Sequence, residues 1–408
     1  MNFGLIGGKL GHSYSPQIHS YLGDYSYVLI EKQPEELEEL LRSGAYDGFN
    51  VTIPYKSTVI PYCDELSDVA ARLGSVNTIV RREDGTLMGH NTDYFGFETM
   101  LLRSGVDVNG KKALVLGSGG TSKTAVAVLQ DKGAEVIVIS RSGQNNYENL
   151  HLHADAALIV NTTPVGMYPN TGVAPVSLDI FPHLEGVLDV IYNPARTALL
   201  QMAEKRGIVA MNGLLMLVAQ AKESAEWFVG QSIADDKINA IHALLARQME
   251  NIILIGMPGS GKSTIGKLLA EKTGKKFVDA DAVVAEKAGC TIPDIFANQG
   301  EAGFRALETQ VLSKLGKSSG LVIATGGGCV TREENYPLLH QNGRIFCIER
   351  DLDRLATDGR PLSQVTKMEE MYRIRKPLYE QFADCMVSNN STPEHAVEQI
   401  LSIWEENA

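Results

Sequence analysis

The segment Gly256-Met257-Pro258-Gly259-Ser260-Gly261-Lys262-Ser263 restricts the fold more than any other stretch of this chain. It fits G-x-x-x-x-G-K-[ST], with the apolar run Asn251–Ile255 before it and a helical pattern, 264–272, after it. Glycines at 256, 259 and 261 let backbone N–H groups curl around phosphate oxygens, and the start of the helix adds positive potential. Ser260 and Thr264 belong to the same cradle. Lys262 is placed to reach β- and γ-phosphates, and the Ser263 hydroxyl to ligate Mg²⁺. A strand–loop–helix unit of this kind needs a parallel sheet covered by helices.

A second glycine-rich loop, Gly117-Ser118-Gly119-Gly120-Thr121-Ser122, follows the apolar run Lys112–Leu116. Ser122 stands where a dinucleotide-binding fingerprint carries its third glycine. The next apolar run, Glu135–Ile139, ends in Ser140-Arg141-Ser142 rather than in the acid that holds a ribose 2′-hydroxyl. A guanidinium suits a 2′-phosphate, so the residues favour NADP(H) over NAD.

Around the second loop, through residues 1–249, short apolar runs alternate with helical patterns. Strands are predicted at Asn2–Ile6, Tyr27–Leu29, Gly48–Val51, Val76–Val80, Ala157–Val160 and Gly186–Val190, and helices at Pro34–Ser43, Leu214–Val229 and Asp235–Met249. The alternation predicts parallel sheets throughout. No Gly/Ser/Pro linker separates Asp235–Met249 from Asn251–Ile255, so two domains are expected to meet near residue 250. The net charge of −12 excludes general binding to nucleic acid or to an anionic membrane. Residues 1–250 carry 19 basic and 28 acidic side chains, and 251–408 carry 18 and 21, so the second part is the better balanced for anionic ligands. Cys63, Cys290, Cys329, Cys347 and Cys385 form no C-x-x-C pair, which speaks against zinc and against a disulfide framework. With no signal-peptide pattern at the start and no run of about 18 apolar residues, a cytoplasmic location is expected.

Six segments of the first part, in order, resemble shikimate dehydrogenase. Gly11–His19 is similar to the family's S-x-S-P-x-x-H, Asn50–Lys56 to N-V-T-x-P-x-K and Gly89–Asp93 to G-x-N-T-D. The stretch Ala70–Val80 contains G-S-V-N-T-I, and Asn161–Met167 and Asp189–Pro194 match later segments. The resemblance covers about residues 1–245 and implies NADPH-dependent reduction of 3-dehydroshikimate to shikimate. It implies Lys56 and Asp93 as the proton-handling pair and Ser13 and Ser15 as donors to a substrate carboxylate. Thr52, Asn77, Asn91, Tyr192 and Gln220 would contact the rest of the substrate, and Thr162 and Gly213 would stand with the glycine loop at the cofactor. It allows a homodimer through this part.

The second part resembles shikimate kinase over about 251–408. Val278–Asp281 is similar to the family's D-x-D, Gly300–Glu308 to G-E-x-x-F-R-x-x-E and Ala324–Gly328 to a strand followed by G-G-G. Gly359–Leu362 is similar to the lid R-P-L, and Arg375–Tyr379 to R-x-x-L-Y. This implies ATP-dependent phosphorylation of shikimate. Asp281 would act on the attacking hydroxyl, Arg305 and Arg375 would clamp the carboxylate, and Gly327 and Gly328 would lie against the ring. Asp279 would share Mg²⁺ with Ser263, and Arg360 would close on the transferring phosphoryl group. The stretch between Arg350 and Arg360 is shorter than expected for the family.

The expectation is a bifunctional α/β enzyme of small-molecule substrates. Its parts are a substrate domain (1–94 with 212–248), an NADP-binding Rossmann domain (95–211) and a P-loop α/β/α kinase domain (250–408). Two other readings stay open: a dehydrogenase with a nucleotide-sensing module in place of a kinase, and an enzyme of quinate.

Overall fold

A computed structural model describes residues 1–11, 13–355 and 365–406. It forms two compact units. The first comprises Met1–Gly166, Val173–Tyr192 and Leu199–Ala243, and the second comprises Leu244–Ala408 with the short segments Met167–Gly172 and Asn193–Ala198.

The first unit carries two sheets. One contains β1 (Asn2–Gly7), β2 (Ser26–Glu31), β3 (Gly48–Val51), β4 (Glu65–Leu66), β5 (Thr78–Arg81) and β6 (Leu87–His90), in the order β2-β1-β3-β5-β6-β4. Strand β1 runs parallel to β2 and β3, but β5 is antiparallel to both β3 and β6. The uniformly parallel arrangement predicted from the sequence therefore fails in this sheet. The cause is local. Between β5 and β6, the Asp84 carboxylate accepts from the backbone N–H and the hydroxyl of Thr86, and Gly85 takes φ +85°. This Asp-Gly turn reverses the chain within a few residues and leaves no length for a crossover helix. Leu37 and Leu41, on the helix Leu37–Arg42, pack under the sheet against Ile6, Phe49, Val51 and Ile79. The predicted helix Pro34–Ser43 is accordingly a 3₁₀ turn, Pro34–Glu36, followed by this shorter α-helix.

The other sheet contains β7 (Lys112–Leu116), β8 (Glu135–Ile139), β9 (Leu158–Asn161), β10 (Gly186–Asp189) and β11 (Val209–Asn212). It is parallel throughout, in the order β11-β10-β9-β7-β8. Phe97, Val128 and Leu129 cover one face, and Phe181, Leu199 and Leu200 the other. That double burial explains why its strands read as unbroken apolar runs. Strand order reverses between β7 and β9, which opens a crevice at their carboxyl ends, where ligands of such sheets bind. The helices Asp93–Ser104 and Leu214–Val229 lie close together at Gly96, where an added Cβ would stand 2.7 Å from the Met216 carbonyl and 2.9 Å from Cβ of Gln220.

In the second unit β12 (Asn251–Ile255), β13 (Lys276–Asp279), β14 (Leu321–Ala324), β15 (Gly343–Glu349) and β16 (Cys385–Ser388) form a parallel sheet in the order β13-β14-β12-β15-β16. Its faces are buried by Val311, Leu312 and Phe382 on one side and by Ile265, Leu269, Ile400 and Trp404 on the other. A single residue, Glu250, separates the helix Asp236–Met249 from β12. The Lys275 ammonium donates to the carbonyls of Arg247, Gln248 and Glu250, and the Trp404 indole donates to the Glu250 carboxylate. The bonds to Arg247 and Gln248 satisfy carbonyls that the helix end leaves without partners.

Candidate functional sites

A cleft of roughly 350 Å³ opens in the first unit where loops from both of its sheets meet. Ser13, Ser15, Thr52, Lys56, Asn77, Asp93, Tyr192 and Gln220 line it, with Thr121 and Gly213. It thus gathers side chains that lie up to two hundred positions apart in the sequence.

Its centre is an ion pair. Lys56 Nζ stands 2.5 Å from Asp93 Oδ2, with both side chains mostly buried. Asp93 opens the helix Asp93–Ser104, so the helix N-terminus supports its negative charge. Its second oxygen, Oδ1, accepts from the Asn77 amide at 3.0 Å. Asn77 is held in turn, because its Oδ1 accepts from the backbone N–H of Thr92 at 2.7 Å. Behind it the Asn50 amide donates to the Asn77 carbonyl and to the Thr78 hydroxyl, while Asn50 Oδ1 accepts from Tyr27 at 2.7 Å and from Ser224 at 3.2 Å. This network locks the orientation of the carboxylate. Thr92 also donates to Gln220 Oε1 at 3.4 Å, a reach permitted by the close approach at Gly96.

Asn91 departs from expectation. It is buried, its amide donates to the Ser75 carbonyl at 2.9 Å, and it is not among the cleft-lining residues. Its Oδ1 is buried with no hydrogen-bond partner among the described residues. Lys9 and Met216 also line the cleft, although no motif contains them, and so does Asn50, which opens the Asn50–Lys56 segment.

At the crevice of the second sheet, Gly117 takes φ +109°, and a Cβ there would meet the Thr162 hydroxyl at 2.9 Å. The loops after β7 and β9 are thereby packed together. Thr162 and Ser122 turn their hydroxyls to the carbonyls of Leu116 and Gly117, at 2.6 and 2.7 Å, so both side chains shape the loop. Gly119 and Gly120 are exposed, and nothing lies within 4 Å of a Cβ added to either. The N-terminus of the helix Gly120–Asp131 is therefore open to an anion. Arg141 is exposed past the end of β8 next to Ser140, and it makes no side-chain hydrogen bond or ion pair among the described residues. Open backbone N–H groups and an available guanidinium fit a phosphorylated dinucleotide. Gly213 sits where a Cβ would be 2.1 Å from the Val190 carbonyl oxygen, so no other residue fits there without backbone movement.

In the second unit the loop after β12 has Gly256, Gly259 and Gly261 at φ +137°, +85° and +100°. Lys262 is buried, and its ammonium donates to the carbonyls of Gly256 and Met257 at 2.8 and 2.9 Å. The Ser260 hydroxyl is buried without a partner among the described residues. Asn389 donates to the Ser260 carbonyl at 2.7 Å and fills the space beside Gly261. Thr264 and Ser263 are exposed at the start of the helix Lys262–Thr273, and the Ser263 hydroxyl donates to Asp279 Oδ2 at 2.9 Å. This geometry fits a nucleotide triphosphate. Among the described residues no group of three His, Cys, Asp or Glu could hold a metal. A divalent ion at Ser263 and Asp279 would complete its shell with phosphate and water, as Mg²⁺ commonly does.

The loop after β14 is where the remaining residues converge. A Cβ on Gly328 would lie 1.9 Å from Arg305 Nη2, and one on Gly326 would lie 2.6 Å from both Asp281 Oδ1 and Glu308 Oε1. The Gly327 carbonyl accepts from Arg375 at 3.1 Å and from the Tyr379 hydroxyl. Glu308, fully buried, pairs with Arg305 at 2.7 Å. Burial pushes its carboxyl above the usual range, against the pull of Arg305. Asp279 caps the helix Ala280–Ala288 through the backbone N–H groups of Asp281 and Ala282. Arg360 and the short lid expected around it lie outside the described residues. A larger cavity, about 730 Å³, lies at the ends of β15 and β16 and contains none of the motif residues, so size alone does not mark a site.

Residues 5–79 match the family described as the shikimate dehydrogenase substrate binding domain, and residues 258–405 match shikimate kinase. The chain is 38% identical over 251 residues to the shikimate dehydrogenase (NADP(+)) of Clostridium perfringens, an alignment that spans 56% of this chain and 92% of the relative. It is similar to the crystal structure of shikimate dehydrogenase 1 from Peptoclostridium difficile, with a TM-score of 0.55 and 39% identity over 60% of this chain and 98% of the other. A chorismate mutase/shikimate 5-dehydrogenase fusion protein from Clostridium acetobutylicum matches with a TM-score of 0.56 and 35% identity, over 60% and 96% of the two chains.

Proposed function

The chain belongs to the shikimate dehydrogenase family and carries a shikimate kinase domain, and from that premise we propose that it reduces 3-dehydroshikimate to shikimate and then phosphorylates the shikimate it has made. The observation that carries the first step is the Lys56–Asp93 pair in a cleft lined by Ser13, Ser15, Thr52, Asn77 and Gln220.

The open N-terminus of the helix Gly120–Asp131 and Arg141 would hold NADPH, with Arg141 toward its 2′-phosphate, and the cofactor would supply a hydride. The ketone oxygen gains negative charge as it is reduced, and Lys56 is the proton source nearest the centre of the cleft. Asp93, fixed by Asn77, orients the ammonium and balances its charge. Ser13 and Ser15 receive the substrate carboxylate, and Thr52, Asn77, Tyr192 and Gln220 the rest of the molecule. Buried polar groups of this kind reject a substrate that leaves them unpaired. The Asn91 amide, committed to Ser75, supports the loop that carries Asp93.

In the kinase domain the loop 256–263 holds ATP. Ser263 and Asp279 would hold Mg²⁺, which would supply charge neutralisation at the phosphates. Asp281 takes the proton of the attacking hydroxyl, while Arg305 and Arg375, gathered at 326–328, hold the carboxylate bidentately. The sensing-module alternative has no use for such a clamp. The dehydrogenase would comprise a substrate domain of 1–94 with 212–248 and an NADP domain of 95–211, and the kinase would comprise 250–408. A cytoplasmic location and a homodimer belong to the same reading. Among the described residues no helix is long and apolar enough to cross a membrane.

A single-pot assay with dehydroshikimate, NADPH, ATP and Mg²⁺ tests both steps. Lys56→Ala should stop NADPH consumption. Lys262→Ala should let shikimate accumulate without shikimate 3-phosphate. If both variants stopped the same step, the two-site assignment would fall.

A further inference from the structure

We propose that Lys9 is a specificity-determining residue of the dehydrogenase, supplying the positive charge that recognises the carboxylate of the substrate. The inference rests on the dehydrogenase reading above and adds to it a residue that no motif contains.

Three charged side chains line the cleft: Lys9, Lys56 and Asp93. Lys56 and Asp93 neutralise each other at 2.5 Å. Lys9 makes no ion pair or hydrogen bond among the described residues, which leaves it as the uncompensated charge of the cleft. The substrate is a monocarboxylate, and its expected partners, Ser13 and Ser15, are neutral. Hydroxyls orient an anion but do little to offset the loss of its hydration, whereas an ammonium does both. Lys9 belongs to the loop that leads from β1 to Ser13. The base of that loop is fixed, because the backbone N–H of Leu10 donates to the Glu31 carboxylate at 2.7 Å and that of Gly8 donates to the Ile53 carbonyl. Ser15 opens the helix Ser15–Leu22, and its N–H donates to the Ser13 hydroxyl at 3.2 Å. The cleft therefore offers a cation and two hydroxyls, all from residues 9–15, to one anionic group. Lys9 is exposed, so its contribution is to affinity and discrimination rather than to the chemical step.

The test compares wild type, Lys9→Gln and Lys9→Arg in NADP⁺-dependent oxidation of shikimate and of its neutral methyl ester, with thermal melting to confirm equal folding. Lys9→Gln should raise KM for shikimate about five- to tenfold, as for a partly exposed charge-assisted contact, while kcat changes by less than twofold. Lys9→Arg should restore most of the affinity, and added salt should narrow the gap between wild type and Lys9→Gln. With the methyl ester the variants should be indistinguishable. An unchanged KM for shikimate in Lys9→Gln, or an equal rise for acid and ester, overturns the proposal. Absence of shikimate oxidation by the wild type would instead overturn the dehydrogenase reading, so the two failures are separable.

Discussion

The hydroxyl of Ser263 donates to the Asp279 carboxylate at 2.9 Å across the carboxyl ends of β12 and β13, two strands that β14 holds apart in the sheet. The bond joins the phosphate loop to the D-x-D segment at the place proposed for a divalent ion. Asp279→Asn keeps the cap on the helix Ala280–Ala288 but removes the charge. Phosphorylation should fall about a hundredfold or more, since a metal at a transferring phosphoryl group supplies several kcal/mol. Reduction of dehydroshikimate should stay within about twofold of wild type. EDTA should reproduce this split in the unmodified enzyme, and coupled assays of the two steps read both outcomes.

Lys56 and Asp93 should fail together. Either Lys56→Ala or Asp93→Asn should lower kcat for the reduction by about 10²–10⁴, the range of a lost general acid, with a smaller change in KM. The double variant should be little worse than the weaker single variant, because the two groups act as one unit. Additive losses in steady-state kinetics would show that they act separately.

Two glycines separate loss of function from loss of stability. At Gly328 an added methyl meets the guanidinium of Arg305 and would push it off its pairing with Glu308, a side-chain displacement that leaves the backbone in place. Gly328→Ala should keep the backbone fold and raise KM for shikimate in the kinase reaction about ten- to hundredfold, the usual worth of a bond to a charged group. At Gly213 the methyl meets the Val190 carbonyl, which belongs to the backbone. Gly213→Ala should destabilise the dehydrogenase by about 2 kcal/mol, seen as a lower urea midpoint for inactivation.

His19 predicts an acid limit. The ring is buried against Tyr27, with centroids 3.9 Å apart, and Nδ1 lies 2.7 Å from the Tyr25 hydroxyl. Burial pushes its pKa down from 6.5 to about 3. The unfolded chain therefore takes up a proton near pH 6.5 that the folded chain refuses until about pH 3. The stability contribution is complete above pH 6.5 and is lost as pH falls toward 3, by up to about 1.4 kcal/mol per pH unit. Urea inactivation of the dehydrogenase between pH 6 and 4 should show this slope. In His19→Gln the slope should be smaller by about one proton, and equal slopes would refute the assignment.

The glycine loops and their flanking strands were legible in the sequence because their constraints are local. Gly117, Gly256, Gly259 and Gly261 need backbone angles that other residues avoid, and β7, β8 and β12 read as apolar runs with the observed boundaries. Strand β6 and the antiparallel pairing are less visible, because the Asp84-Gly85 turn signals a reversal at only one point while the alternation of strands and helices elsewhere points to parallel sheets. The residues that brace the sites were less visible. Asn389 supports Ser260 from 129 positions away, and Ser224 reaches Asn50 from 174. Spacing along a chain carries no trace of such contacts. Glu308 closes a motif, but only its burial beside Arg305 gives it a part to play.

The Lys262 ammonium, bonded to the carbonyls of Gly256 and Met257, gives the phosphate loop its own internal counterpart to a ligand. With Asn389 donating to the Ser260 carbonyl from the far side, the loop is held in its cradle shape by bonds of its own. Binding then exchanges neutral carbonyl acceptors for charged phosphate oxygens around a cation that is already in position. Little ordering entropy is lost at the moment of capture.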